Sequence, residues 1–185
     1  MRLAILFVAS LLAVNAADAQ QATIPYSFRD PSMSGSQGAA AAMMSSKGFA
    51  IFEDSDIAFS LEISRSGLSF DLQNISANPI KLDWNECAFI DAAGRSRRVI
   101  HSGVRLVDRE APMATITIPP HAVHSNKLTP VDNIRYSEDS HRWELSELLP
   151  DAYKYFGKTI TLFMPLQING VTRNYSFSVK IRGLE

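Results

Sequence analysis

Two alternating apolar runs meet at Asn169-Gly170. Before the pair come Ile160, Leu162, Met164, Leu166 and Ile168; after it come Val171, Tyr175, Phe177, Val179 and Ile181. A period of two sends every apolar side chain to one face of an extended chain. Asn-Gly between two such runs signals a two-residue type I′ turn, because both central residues must take positive φ. An antiparallel hairpin is therefore predicted, with one face that only a second layer can cover. Pro165 lacks an N–H, so its strand is expected to lie at an edge or to be bulged there.

The same period recurs upstream. Ile57, Phe59, Leu61 and Ile63 alternate with polar or small residues, Ser64-Arg65-Ser66-Gly67 turns the chain, and Leu68, Phe70 and Leu72 alternate again. After Asn78-Pro79, Ile80, Leu82 and Trp84 begin another strand whose phase has shifted by Phe89, which predicts a bulge. Ala93-Gly94 turns into Arg97 to Leu106, and two further strands end at Pro119-Pro120 and near Pro130. Trp143, Leu145, Leu148 and Leu149 fall at helical spacing between Ser140, a possible N-cap, and Pro150, predicting one short helix. Short strands with turns between them define an all-β, antiparallel sandwich. Its predicted core includes Phe59, Leu61, Phe70, Leu72, Trp84, Leu162, Phe177 and Val179.

The N-terminus has the pattern of an export signal. Arg2 precedes an apolar run, Leu3 to Val14, broken only by Ser10, and Ala17-Asp18-Ala19 supplies a small-x-small cleavage site. That run is shorter than the roughly 20 residues a permanent span needs. The expected division is a signal peptide at 1–19, a flexible tail at 20–47 and a sandwich domain at 48–185, with the mature chain secreted or periplasmic. Ser34-Gly35-Ser36-Gln37-Gly38 has linker composition, and Ala39 to Met44 is expected to be disordered or to form a short helix on docking. The net charge of −1 gives no overall pull toward nucleic acid or anionic lipid. The single cysteine, Cys87, rules out an intramolecular disulfide and reads as a small buried hydrophobe.

One resemblance rests on particular residues. Asn74-Ile75-Ser76-Ala77-Asn78-Pro79-Ile80, followed by Leu82-Asp83-Trp84, Asp91-Ala92-Ala93-Gly94 and Ile118-Pro119-Pro120, resembles the strand-turn-strand of immunoglobulin-like domains in secreted bacterial proteins. It covers Ile57 to Leu128, without the paired cysteines of antibody-type domains. The resemblance implies an immunoglobulin-like sandwich and an exported location. It carries over no catalytic residue.

No constellation for catalysis is visible. There is no Gly-x-Ser-x-Gly, phosphate loop, dinucleotide fingerprint or His-Glu-x-x-His helix. Of the four histidines, His101, His121, His124 and His141, only His121 and His124 are close, and three residues apart on a strand they face opposite sides. No metal and no cofactor is expected. Glu53, Asp54 and Asp56 read as a polar turn rather than a Ca²⁺ loop. Two sequons, Asn74-Ile75-Ser76 and Asn174-Tyr175-Ser176, would matter only in a eukaryotic secretory pathway.

The charged feature that stands out is basic. On one continuous strand, Arg95, Arg97, His101, Arg105 and Arg109 would share a face. Arg97, Arg105 and Arg109, with His101 at the edge, are the expected binding residues for an unknown protein or an anionic glycan. The competing reading is a solvated face neutralised by Asp91, Asp108 and Glu110. The function expected is non-catalytic binding outside the cytoplasm. Its rivals are a hydrolase whose site assembles only in the fold and an assembly subunit working by strand addition.

Overall fold

The computed structural model describes residues 39–43, 49–64, 67–150 and 152–181. The expected export signal and the Ser34–Gly38 linker lie outside them. The described residues contain strands β1 (Ala39–Met43), β2 (Phe49–Glu53), β3 (Ile57–Ser64), β4 (Gly67–Asn74), β5 (Ile80–Leu82), β6 (Ala88–Ile90), β7 (Ser96–His101), β8 (Ile116–Ile118), β9 (Val123–Pro130), β10 (Ile134–Ser137), β11 (Arg142–Leu145), β12 (Thr159–Ile168) and β13 (Val171–Lys180). Four short 3₁₀ turns are the only helical pieces among the described residues. None of these is long and apolar enough to cross a membrane.

The main sheet runs β1-β13-β12-β6-β7-β9-β4-β3-β2, with β5 paired to β12 and to β8. Every pairing in it is antiparallel except β1 on β13. The path folds over at β7, which pairs Phe89 to Arg97 on its β6 side and Ile100 to Thr129 on its β9 side. The two halves then face each other. Phe59 of β3 stacks on Phe177 of β13, and Phe52 of β2 meets both Phe177 and Tyr175 edge-on. This all-β arrangement fits a β-sandwich. The eight core residues expected from alternation are each no more than 3% exposed. Burying side chains of this size contributes roughly 1.5–3 kcal/mol each.

The Asn169-Gly170 hairpin forms as predicted, with Asn169 at φ 49° and Gly170 at φ 77° and the ladder running from Ile168↔Val171 to Thr159↔Lys180. Pro165 does not make β12 an edge strand. In a two-residue hairpin the residues flanking the turn exchange both hydrogen bonds, so odd-numbered residues of β12 direct their backbone groups away from β13. On that side β6 ends at Ala88↔Phe163 and β5 begins at Leu82↔Leu166. The 3₁₀ turn Trp84–Glu86 fills the interval between β5 and β6. The missing N–H thus falls in a gap of the ladder, and the phase shift expected before Phe89 is this same turn.

Two local expectations are corrected. Ala39–Met43 is neither helical nor unpaired; it is β1, in parallel register on β13 from Ala39↔Ser176 to Met43↔Lys180. Strand pairing therefore begins inside the segment expected as a tail. Trp143 and Leu145 are not on a helix but on β11, where Trp143 lies opposite Tyr136 of β10. Their separation of two is the strand period, and the helical spacing came from Leu148 and Leu149 beyond the strand's end.

The residues behind the resemblance hold turns. Asn74 is fully buried; its Nδ2 donates to the carbonyls of Asn78 and Ile118, and its Oδ1 accepts from the Ser76 N–H and hydroxyl. Asp83 caps the Trp84–Glu86 turn through Asn85 N–H. Asp54 and Asp56 form the expected polar turn: Asp54 Oδ1 accepts the N–H groups of Asp56 and Ile57, its Oδ2 accepts the Tyr175 hydroxyl, and Asp56 pairs with Arg173.

Candidate functional site

A cleft of about 240 Å³ opens where the β6–β7 turn meets the start of β12. Its apolar lining comes from Phe89 of β6, Ile160 of β12, and Leu148 and Leu149, which follow β11. All four side chains are buried. The polar lining comes from Asp91 and Arg95 of the β6–β7 turn, Arg97 of β7, Asn133, and Tyr155 and Lys158 just before β12.

The walls are held by internal hydrogen bonds. Asn133 Nδ2 donates to the carbonyls of Ser146 and Glu147, fixing the segment that carries Leu148 and Leu149. Gly157, at φ 76°, donates to Ile181, and Ile181 donates to Lys158. Asp91 organises the opposite wall. Its Oδ1 accepts the N–H groups of Ala93 and Arg95, and its Oδ2 accepts Nε of both Arg95 and Arg97 at 2.9 Å. Burial opposes the charge on Asp91, but these donors, led by the Arg95 N–H and the Arg97 guanidinium, hold its carboxyl well below the usual carboxylate range.

The cations of this cleft differ in what they still offer. Arg97 is shared between Asp91 and Asp132. Arg95 meets Asp91 through Nε and Nη2 and is 68% exposed. The Lys158 ammonium lies 5.7 Å from the centre of the Tyr155 ring, and no ion pair to it occurs among the described residues.

The basic stripe is not one continuous face. β7 ends at His101, and a turn through Ser102-Gly103 closes with the Val104 N–H on the His101 carbonyl. Arg105 then pairs with Asp108 at 2.6 Å across the 3₁₀ turn Leu106–Asp108. Arg109 lies over the Trp143 ring at 4.5 Å. Of the expected binding residues only Arg97 lines the cleft; His101, Arg105 and Arg109 do not.

His101 belongs to a second cluster. Its ring stacks on Trp84 at 4.7 Å, and His124 of β9 approaches the same Trp84 at 5.8 Å. His101 Nδ1 accepts the Gly103 N–H, which requires the proton on Nε2. Burial lowers the basicity of both rings, and His101 lowers that of His124 further. His121 sits apart, exposed and at φ 62° on the turn before β9. Cys87 is 3% exposed, its thiol pushed up to about 12 by burial and by the nearby charges of Asp83 and Glu86.

Lys158 and Tyr155 were not singled out from the sequence, and Leu148 and Leu149 were read only as helix residues. They come from a segment read as a helix and its exit, far along the chain from Asp91 and Arg97. In comparisons with known proteins, no family model matches the chain and no curated protein matches it significantly.

Proposed function

We propose that the chain is an exported, immunoglobulin-like β-sandwich that works by binding an anionic partner rather than by catalysis. Export rests on the n-region, apolar run and Ala17-Asp18-Ala19 of the sequence. The immunoglobulin-like assignment draws support from the strand order. β3-β4-β9-β7 follows the order A-B-E-D, and β5/β6-β12-β13 follows C-F-G. Trp84, buried between β5 and β6, stands where such domains carry a core tryptophan on strand C.

The observation that carries the binding assignment is the cleft, in which an apolar floor meets the cations Arg95, Arg97 and Lys158. Convergent polar groups above an apolar pocket are the usual form of a small-ligand site. The test is ¹H–¹⁵N NMR of the mature protein with a panel of small anions and their neutral isosteres. Anions should shift the amides of residues 93–97 and 156–160, and isosteres should not. Replacing Arg95 and Lys158 together by Ala should abolish those shifts. Absence of anion-specific shifts at the cleft for every probe overturns the reading.

A further inference from the structure

We infer that the ligand of this cleft is a small free carboxylic acid of up to about ten non-hydrogen atoms in all, with an apolar body, its carboxylate held by Lys158 and Arg95. The inference rests on the binding role proposed above and specifies the chemistry of that same site.

The donor set argues for a carboxylate over a phosphate. Phosphate sites commonly present several backbone N–H groups to the anion. Here the turn that would supply them is already engaged: Ala93 and Arg95 donate their N–H groups to the Asp91 carboxylate, and Gly94 donates to the Asp91 carbonyl. Arg97 is held between two aspartates. What remains is the exposed end of Arg95 and the Lys158 ammonium, enough for the two oxygens of a monoanion.

The floor argues for an apolar body. Phe89, Leu148, Leu149 and Ile160 offer no hydrogen bond to a hydroxyl-rich ligand, and a polar group placed against them would lose its water. The volume limits its size. A space of about 240 Å³ corresponds to roughly eight waters at about 30 Å³ each.

The backbone argues for a free acid over a peptide terminus. An extended peptide needs backbone groups to pair with. Around the mouth the amides of Lys158, Gly157 and Ile181 and the carbonyls of Ser146 and Glu147 already have partners.

The test is calorimetric titration of the mature protein with acetate, butyrate, hexanoate, octanoate and dodecanoate. Affinity should rise with each added methylene, by at most the roughly fourfold of full burial, and level off near octanoate. Octanamide should bind at least tenfold more weakly than octanoate. Lys158→Ala should weaken octanoate by roughly tenfold and Lys158→Arg should restore most of it, whereas Lys127→Ala on β9 should change nothing. Both replaced side chains are exposed, so the fold should persist. Inorganic phosphate binding at the cleft as tightly as octanoate would leave the anion site standing and overturn the apolar acid. A peptide ending in phenylalanine that outbinds 3-phenylpropionate would overturn the free acid. No binding by any anion would remove the proposed function itself.

Discussion

The ring of Phe59 lies almost flat on the ring of Phe177, with centroids 3.7 Å apart and planes inclined by 11°. One ring comes from β3 and the other from β13, so this contact joins the two halves of the folded sheet one strand in from each end of the strand order. Phe70 of the neighbouring β4 also stacks on Phe59, at 5.6 Å.

Phe177→Ala should cost roughly 3–5 kcal/mol in denaturant melts, because it removes a large aromatic and leaves a cavity. Phe59→Ala should cost about the same, and the double mutant should lose less than the sum, with a coupling of about 0.5–1.5 kcal/mol. A loss below about 1 kcal/mol for Phe177→Ala would mean that the halves are not held together there.

Stability should fall in mild acid. His101 and His124 are less basic folded than unfolded. The stability they contribute is therefore fully present above the unfolded histidine value of about 6.5. As pH drops below that value the unfolded chain binds protons that the fold resists, and stability declines. Burial acts on both rings, and the charge of His101 also acts on His124. Denaturant midpoints at pH 7.5 and 5.5 should differ for the native chain, and the difference should shrink in His124→Gln. An unchanged difference in that variant would place the titration elsewhere.

Asp91→Asn should loosen the β6–β7 turn and cost about 2 kcal/mol, as expected for losing charge-assisted hydrogen bonds. The folded carboxyl lies below its unfolded value. Its contribution is therefore present above about pH 4 and is lost as pH falls further. Acid unfolding of the native chain and of Asp91→Asn should converge at low pH. Parallel curves down to pH 2 would count against the role given to this side chain.

Cys87 should resist a soluble disulfide reagent at neutral pH. The thiol is buried and its pKa lies near 12, so almost none is thiolate. Labelling should become complete only in denaturant, and its rate under native conditions should track unfolding. Rapid labelling of the folded protein would show that the region around the Trp84–Glu86 turn opens independently.

The legible parts of this fold were those where a period of two persisted over a whole strand, as in β3, β4, β12 and β13. There the inward phase named the core directly. Short strands were harder. In β11 only Trp143 and Leu145 carry the period, and Leu148 and Leu149 beyond it imitate a helix. β1 was missed for another reason: a run of alanines favours helix locally, and its strand conformation comes from pairing with β13. The basic stripe assumed a strand that ran to Arg109. Ser102-Gly103 was the turn signal that cut it short. The cleft could not have been read at all. Asp91, Asn133, Leu149 and Lys158 share no local pattern; the pairings of β6 with β12 and of β7 with β9, and the hydrogen bonds of Asn133 to Ser146 and Glu147, bring their segments together.

Because β7 is laddered to β6 at one end and to β9 at the other, the molecule is mechanically a creased ribbon rather than two stacked plates. Sliding one half across the other would tear one of those ladders before it could displace Phe59 from Phe177. Shear is therefore blocked at the crease. The opposite lip, where β1 and β2 end the ribbon, is fastened too: β1 lies against β2, and Phe52 of β2 packs on Tyr175 and Phe177 of β13. The ribbon is therefore clasped along both long edges, and the cleft lies beside the creased one.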